Sequence, residues 1–112
     1  MIRQQIDSLL KEIQNSPEAV AKKLQFLAVE EASFAEPVRG IYLLTWAPPQ
    51  PGDRLKLRYA FRDDDGIAVL VSLVFSRDSV LTEMEFSRGD GQPIRHIPKM
   101  AELFSPPINQ PF

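Results

Sequence analysis

The sequence predicts an α+β fold in which one or two N-terminal helices pack on a four- to five-stranded antiparallel meander sheet, with a short C-terminal helical segment. Apolar residues recur at helical spacing in the first 27 residues, whereas from residue 38 onward they occur in β-rich runs that end at turn residues. A chain of 112 residues has the length of one domain. We therefore expect a single domain over residues 1–104 and a proline-rich extended tail at 105–112.

The N-terminal part contains two candidate helices. In residues 1–15 the apolar side chains form one stripe, which consists of Ile2, Ile6, Leu9, Leu10 and Ile13. Ser16 can cap a second helix, and Pro17 suits its first position. This helix is predicted to cover residues 17–27. Its core-facing side chains would be Val20, Leu24 and Leu27. Residues 28–36 either extend this helix or form an edge strand.

Four runs rich in β-forming residues follow the helices. They cover residues 38–47, 54–62, 67–75 and 80–88. The first and third runs are apolar on both sides, which is typical of buried strands, whereas the second and fourth alternate between apolar and polar residues. After a turn at 89–93, Pro98 can begin a short helical segment that extends to Phe104.

The stretch FRDDDGIAVLV at 61–71 contains three consecutive aspartates, which could form a metal loop or a turn. Apolar positions are odd-numbered on both sides of them, so the connecting loop must have an odd number of residues. The loop 64–66 meets this condition, and Gly66 suits the left-handed position that ends such a loop. Calcium loops space their ligands at alternate positions. We therefore interpret the aspartates as a turn and predict no metal site.

The next turn, SRDS at 76–79, must contain an even number of residues, because the bulky positions change from odd to even across it. The predicted rows of core-facing residues are Phe61–Val69–Phe86, Tyr59–Val71–Met84, Leu57–Leu73–Thr82 and Leu55–Phe75–Val80. The rows predicted for the opposite face are Arg62–Ala68–Ser87, Ala60–Leu70–Glu85, Arg58–Ser72–Glu83 and Lys56–Val74–Leu81.

The face opposite the predicted core combines a floor of small and apolar residues with charges on both sides. Lys56, Arg58 and Arg62 line one side, and Glu83 and Glu85 line the other. This layout is either an ordinary solvated sheet face with charge pairs or a polarised surface that orients a protein partner. These five charged residues are the candidate partner-binding residues.

The composition argues against several functional classes. A net charge of −2 is unlike that of a general nucleic-acid binder. The absence of cysteine removes thiol catalysis and thiolate metal sites, and it fits a cytoplasmic protein. Residues 1–15 lack the form of a secretory signal, and no apolar run approaches the ~20 residues that span a bilayer. We expect no cofactor, no nucleic-acid partner and no membrane partner.

The catalytic candidates are few, and no catalytic residue is assigned. His96 is the only histidine, no nucleophile motif accompanies it, and a solvated or capping role is favoured. Glu83 and Glu85 would project from one strand face about 7 Å apart, which overlaps with the spacing in paired-carboxylate glycosidases. A hydrolase that uses Glu83, Glu85 and His96 is the least favoured hypothesis. The tripeptide RGD at 88–90 is interpreted as a polar turn.

Two further alternatives remain open from the residues. Tyr42, Trp46 and Tyr59 could line a small-ligand pocket between the helices and the sheet. An unpaired edge strand could form a homodimer by strand addition.

The stretch FRDDDGIAVLVSLVFSRDSVLTEMEFSRGDGQPI at 61–94 is similar to the hairpin-plus-DGxPI endings of small bacterial families. With its size and its order of helices before a meander, the chain resembles the small cytosolic immunity proteins that neutralise bacterial toxins. The resemblance implies a bacterial, non-enzymatic protein that binds one partner protein tightly through a sheet face or edge. It assigns no binding residue. The favoured hypothesis is therefore a protein-binding module, with the small-ligand-binding domain as the alternative.

Overall fold

The computed structural model describes residues 2–48 and 55–106. These residues form two α-helices, α1 Ile2–Gln14 and α2 Pro17–Ala21, and two 3-10 turns, Val29–Glu31 and Met100–Glu102. The strands are β1 Ser33–Phe34, β2 Ile41–Thr45, β3 Leu55–Arg62, β4 Ala68–Phe75 and β5 Leu81–Arg88. This is the predicted α+β class. Residues 49–54, which contain most of the connection between the first two predicted strands, and most of the predicted tail at 105–112 lie outside the described residues.

The strands form one antiparallel sheet in the order β1-β2-β5-β4-β3. β3, β4 and β5 are a meander, whereas β2 lies beside β5 rather than beside its sequence neighbour β3. β1 pairs with the outer side of β2. Residues 28–36, for which helix and edge strand were both open, therefore contain a 3-10 turn and a short edge strand.

α1 packs against one face of the sheet and supplies a buried apolar stripe to the core. The buried members of that stripe are Ile6, Leu9, Leu10 and Ile13, as the helical spacing predicts, whereas Ile2 is 43% exposed. The buried sheet residues beneath the helix are Leu44, Leu57, Phe61, Val69, Val71, Leu73, Phe75, Leu81, Met84 and Phe86. Within the described residues, neither helix has both the length and the apolar character that crossing a membrane requires.

The second helix is much shorter than the predicted helix 17–27. Lys23 adopts a left-handed conformation with φ 54°, and the N–H of Leu24 donates to the carbonyl of Ala19. This arrangement ends a helix and satisfies its last carbonyl groups. As a result only some of the predicted core positions reach the core. Leu24 is buried, whereas Val20 is 64% exposed.

The hairpin of β3 and β4 has the predicted register. Phe61 lies opposite Val69, and the pairing continues without a shift along both strands. The N–H of Asp63 donates to the carbonyl of Ile67 at 2.9 Å, and Gly66 has φ 84°. The three aspartates therefore enter a tight three-residue turn that ends on a left-handed glycine, and this loop has the odd number of residues that the apolar pattern predicts.

The turn between β4 and β5 differs from the prediction. The N–H of Ser76 donates to the carbonyl of Val80, which leaves a three-residue loop whose last residue, Ser79, has φ 64°. A β-bulge follows, in which Thr82 is the additional residue of β5 and donates through Oγ1 to a carbonyl of β4 at 3.1 Å. The three loop residues and the one bulge residue add up to an even number, which the change from odd to even core-facing positions requires.

The predicted pairing of β4 with β5 is consequently wrong by two residues; residues 83–87 keep their predicted faces, whereas Leu81, which was predicted for the opposite face, lies in the core. The observed core rows are Tyr59–Val71–Phe86 and Leu57–Leu73–Met84. On the opposite face the rows are Ala60–Leu70–Ser87, Arg58–Ser72–Glu85 and Lys56–Val74–Glu83. Because of the bulge, Leu81 pairs with Phe75 and lies in the core, where Val80 had been expected.

The predicted C-terminal helical segment at 98–104 is reduced to the 3-10 turn at 100–102. Phe104 then forms a single antiparallel bridge with Ala60 of β3. The N–H of Ala60 donates to the carbonyl of Phe104 at 2.8 Å, and the N–H of Phe104 donates back at 2.9 Å. The C-terminal segment thus covers one position of the outer edge of β3.

Candidate functional site

The side of the sheet opposite α1 is called the open face here. Because paired residues point to the same side of a sheet, the observed register defines its members. They are Ile41, Leu43 and Thr45 of β2; Lys56, Arg58, Ala60 and Arg62 of β3; Ala68, Leu70, Ser72 and Val74 of β4; and Glu83, Glu85 and Ser87 of β5. The open face therefore contains all five predicted partner-binding residues.

Two rows across the open face end in opposite charges. One row is Arg58–Ser72–Glu85, and the next is Lys56–Val74–Glu83. Each cation lies two strands from the anion of its row, which is roughly 10 Å at the usual strand spacing. Within the described part of the chain, no ion pair joins the cations of β3 to the anions of β5. These cations and anions are therefore not paired with one another within the described residues.

A third row of the open face is mainly apolar. It consists of Phe104, Ala60, Leu70, Ser87 and Ile41, in order across the sheet. The two ends of the row, Phe104 and Ile41, are 41% and 40% exposed, and Leu70 in the middle is partly exposed. Ala60 is completely buried, so the row presents accessible apolar surface at its two ends and, in part, at Leu70.

Arg62 differs from the other cations of the open face. Its Nη1 donates to the carbonyl of Gly66 at 3.0 Å, so its guanidinium turns back onto its own hairpin. Its pairing partner on β4 is Ala68. The charge of Arg62 is therefore displaced from the two rows that carry Lys56 and Arg58.

The three aromatic residues of the small-ligand alternative are not brought together by the sheet. Tyr42 and Tyr59 occupy opposite ends of one core-side row, with Phe86 and Val71 buried between them. Trp46 donates through Nε1 to the carbonyl of Ala28 at 2.8 Å. Burial raises the pKa of the Tyr59 hydroxyl. Three grooves of the described structure lie along α1, and none of these is lined by the three aromatic residues.

A second feature, which was not predicted, is a group of charged side chains at one end of the sheet. This polar cluster consists of Asp63, Asp64, Asp65, Arg88, Asp90, Arg95, His96 and Glu102. It joins the β3–β4 turn to the end of β5 and to the segment that follows. The polar cluster therefore connects the β3–β4 turn to a part of the chain that lies more than 20 residues later.

Arg88 is the buried centre of the polar cluster, with only 3% of its surface exposed. Its Nη1 donates to Oδ2 of Asp63 at 2.8 Å, and its Nη2 donates to Oδ2 of Asp65. Asp90 accepts from both Nε and Nη2, at 2.8 and 2.9 Å. The hydrogen bonds to Asp90 and Asp65 raise the pKa of Arg88, so the guanidinium stays charged. The RGD tripeptide is thus closed on itself by its own ion pair.

Asp63 is the buried carboxylate of the polar cluster, and both of its oxygens are satisfied. Oδ2 accepts from Arg88 and from the N–H of Arg95 at 2.9 Å, and Oδ1 accepts from the N–H of Asp64 at 3.0 Å. Oδ1 also lies 3.0 Å from Nδ1 of His96. Burial alone would raise the pKa of Asp63, but these hydrogen bonds outweigh it and hold the pKa below the usual range.

His96 lies between carboxylates on both sides of its ring. Nδ1 lies 3.0 Å from Asp63 and 2.9 Å from Asp64, and Nε2 lies 2.9 Å from Oε1 of Glu102. Burial by itself would lower the pKa of His96, but the hydrogen bonds to Glu102 and Asp63 outweigh it and raise the pKa above the usual value. The ring edge also contacts Phe61, with centroids 5.3 Å apart. The surroundings therefore favour a doubly protonated imidazolium.

The carboxylates at the two ends of the polar cluster have lowered pKa values. The hydrogen bond from Arg88 lowers the pKa of Asp90 to about 2. Arg88 also lowers the pKa of Asp65. For Glu102 the N–H of Lys99 is the largest cause of its lowered pKa, and His96 adds to the effect. The polar cluster is thus a set of mutually stabilised charges.

The arrangement is better suited to holding the chain together than to proton transfer. Both nitrogens of His96 contact carboxylates, so either one must give up a hydrogen bond before it can exchange a proton with another molecule. His96 does not contact Glu83 or Glu85, with which it was grouped in the hydrolase hypothesis. Ligand atoms of Asp63, Asp64 and His96 lie within 4.8 Å of one another and could approach a metal ion. A metal would first have to displace the hydrogen bonds between His96 and the aspartates.

Comparisons with protein-family models, with curated proteins and with solved structures find no match for this chain. The function must therefore be inferred from the residues and their geometry.

Proposed function

We propose that this protein is a non-enzymatic protein-binding module and that the open face is its binding surface. The observation that carries the proposal is the pair of rows with Arg58 and Lys56 at one end and Glu85 and Glu83 at the other. These charges face outward without forming ion pairs across the described sheet. A partner with the complementary layout would be oriented along the rows, because opposed charges attract and like charges repel.

The mainly apolar row supplies the contact area that charges alone do not provide. Ile41 and Phe104 are each about two-fifths exposed, and Leu70 lies between them. Apolar side chains surrounded by charged residues are typical of protein-binding patches. The favoured partner therefore presents an apolar ridge and, beside it, an acidic group that faces Arg58 and Lys56 and a basic group that faces Glu85 and Glu83.

The polar cluster supports a non-enzymatic role. Its histidine and its buried aspartate have their hydrogen-bonding groups occupied by other protein groups. Such a cluster stabilises the end of the sheet from which the open face is presented. The specific form implied by the resemblance to immunity proteins is a bacterial protein that neutralises a partner toxin in the cytoplasm, and this form is part of the proposal.

The test is affinity purification of the tagged protein from a lysate of the organism that encodes it, followed by mass spectrometry. Arg58→Glu and Glu85→Arg are compared with wild type and with Lys11→Glu, a matched charge reversal on the exposed side of α1. We expect a stoichiometric partner that wild type and Lys11→Glu retain. Each open-face variant should lose at least about tenfold of it, because like charges would then meet.

Two results would contradict the proposal. One is a partner that all four proteins retain equally, since its binding would not involve the open face. The other is the recovery of wild-type protein as a monomer with no partner at low ionic strength, where attraction between exposed charges is strongest.

A further inference from the structure

The open face has an internal symmetry that follows from the observed register. β4 is the fourth of the five strands; when the two-residue strand β1 is left aside and Phe104 is counted as the edge beyond β3, two positions lie on each side of β4. In two rows a cation on β3 and an anion on β5 lie at equal distances on opposite sides of β4. These rows are Arg58–Ser72–Glu85 and Lys56–Val74–Glu83. The apolar row has the same arrangement, with Leu70 at its centre and exposed apolar residues at its ends.

We infer that the partner fitted by the open face is a second copy of this chain. A two-fold axis that lies along β4, in the plane between two facing sheets, places β3 of one copy over β5 of the other. Arg58 then meets Glu85 of the second copy, and Lys56 meets Glu83. The axis generates each contact twice, as in any isologous dimer. This inference rests on the proposed function, because it names the partner of the proposed binding surface.

The apolar row obeys the same operation. Leu70 meets Leu70 of the second copy at the axis, and the exposed side chain of Ile41 meets that of Phe104. Residues close to the axis are uncharged and small or moderate in size; Ser72 is partly exposed, whereas Val74 is only 5% exposed and adds little contact area. Two such faces can therefore approach to about 10 Å, the usual separation of packed sheets. The two β4 strands can cross at about 30°, as strands of aligned sheets do, with the two-fold axis midway between their directions.

The charges select this orientation over the other symmetric one. A two-fold axis in the same plane but perpendicular to β4 places β3 over β3, so that Arg58 and Lys56 face the cations of the second copy. Like charges in direct opposition weaken association. The face has at most seven residues on each of β3, β4 and β5, five on β2 and one at Phe104, which gives a footprint of roughly 440 Å² at the usual strand spacing and rise. The pair then buries on the order of 900 Å², which is in the range of weak, transient association. We therefore expect a reversible dimer.

The experiment is a charge swap followed by analytical ultracentrifugation at low ionic strength. Wild type should sediment as a dimer of the 12.7 kDa chain. In Arg58→Glu the introduced carboxylate faces Glu85 of the other copy twice, and in Glu85→Arg the introduced guanidinium faces Arg58 twice. Each single variant should therefore raise the dimer dissociation constant by at least about tenfold. The double variant Arg58→Glu/Glu85→Arg restores opposite charges and should return to within about threefold of wild type.

Mixing the two single variants gives a second, independent test. One chain then carries two acidic residues and the other two basic residues at these positions, so a mixed dimer should form although each protein alone is monomeric. Lys11→Glu is the matched control, because it reverses a charge on the exposed side of α1, away from the open face. It should leave the dissociation constant within about threefold of wild type.

Three outcomes would overturn the inference: a wild-type monomer at millimolar concentration, a dimer that survives both single variants, or a double variant that stays monomeric. The proposed function fails separately. If wild type is monomeric but a different protein is lost from both open-face variants and is not recovered by the double variant, only the second copy is wrong as the partner. If no partner depends on the open face, both proposals fail.

Discussion

Asp63 and Arg88 form a buried ion pair that joins β3 to β5 across the end of the sheet, with Oδ2 and Nη1 2.8 Å apart. β4 lies between these two strands, so the backbone ladder alone does not connect them. Both side chains are almost completely buried. A buried charge is tolerated only when its partners satisfy it. The ion pair therefore couples the order of the β3–β4 turn to that of the C-terminal segment.

The first prediction concerns the removal of the buried carboxylate. Asp63→Ala should lower the free energy of unfolding by about 3 kcal/mol, because the N–H of Arg95 and one nitrogen of Arg88 lose their acceptor while still buried. Asp64→Ala is the matched control in the same turn, where the side chain is 63% exposed. It should change stability by less than about 1 kcal/mol at neutral pH. Urea denaturation measures both, and equal losses would contradict a special role for Asp63.

The second prediction is the dependence of stability on pH. The raised pKa of His96 means that its contribution is complete below its unfolded value of about 6.5 and is lost as the pH rises through the folded pKa. Asp90 has the opposite sign: its contribution is complete above about 4 and is lost as the pH falls toward its folded pKa of about 2. Stability should therefore be greatest between about pH 4 and 6.5.

His96→Gln distinguishes the loss of stability at high pH, which we assign to His96, from the loss at low pH. The variant should be less stable than wild type by about 1 kcal/mol at pH 5.5, because glutamine cannot donate two charged hydrogen bonds to Asp63 and Glu102. The decline of stability above pH 6.5 should disappear, while the decline below pH 4 remains. Urea denaturation across the pH range measures this. A decline above pH 6.5 that persists in His96→Gln would show that another group causes it.

The sequence was sufficient to predict the β3–β4 register because pattern and turn chemistry agree there. Phe61 and Val69 both needed to face the core, and Gly66 supplied the left-handed position of a three-residue loop. The second turn contains no glycine. Ser79 takes the left-handed position instead, and Thr82 becomes the bulge residue. Parity restricts a register only to steps of two residues, so it gave the correct faces for residues 83–87 but the wrong pairs, and the bulge placed Leu81 in the core instead of on the predicted opposite face.

The polar cluster was missed although a signal for it exists in the alternation. Asp63 follows Phe61 by two positions on the core side of β3, and Arg88 follows Phe86 by two positions on the core side of β5. Opposite charges at the same end of a buried face indicate an ion pair, because neither charge is tolerated there alone. The position of His96 could not be predicted in this way, since it follows a turn of irregular backbone outside any strand.

The third prediction concerns Gly40, which lies in the turn before β2 with φ 78°. A Cβ atom there would lie 2.8 Å from the carbonyl oxygen of Gln92 and 2.9 Å from that of Arg88. Gly40→Ala should therefore cost more than about 2 kcal/mol, because the left-handed conformation alone costs about 1 kcal/mol and the backbone oxygens must also move.

Two other glycines serve as matched controls for Gly40. Gly66 has φ 84° but open space around its Cα, so Gly66→Ala should cost only about 1 kcal/mol. Gly89 has neither a positive φ nor a close neighbour, and Gly89→Ala should stay within about 0.5 kcal/mol of wild type. Thermal or urea unfolding of the three variants should give this order, and a tolerated Gly40→Ala would be inconsistent with the contact to residues 88 and 92.

The fourth prediction concerns the covering of the β3 edge by Phe104. The N–H of Ala60 lies at the outer edge of β3, on the side away from β4, and donates to the carbonyl of Phe104. The N–H of Phe104 donates back to the carbonyl of Ala60. Phe104→Pro removes the second donor and alters the backbone, whereas Phe104→Ala keeps both backbone bonds. Hydrogen exchange of the Ala60 amide should therefore accelerate by about tenfold in the proline variant and by less than about threefold in the alanine variant. Equal exchange in the two variants would show that the side chain of Phe104, rather than its backbone, protects the edge.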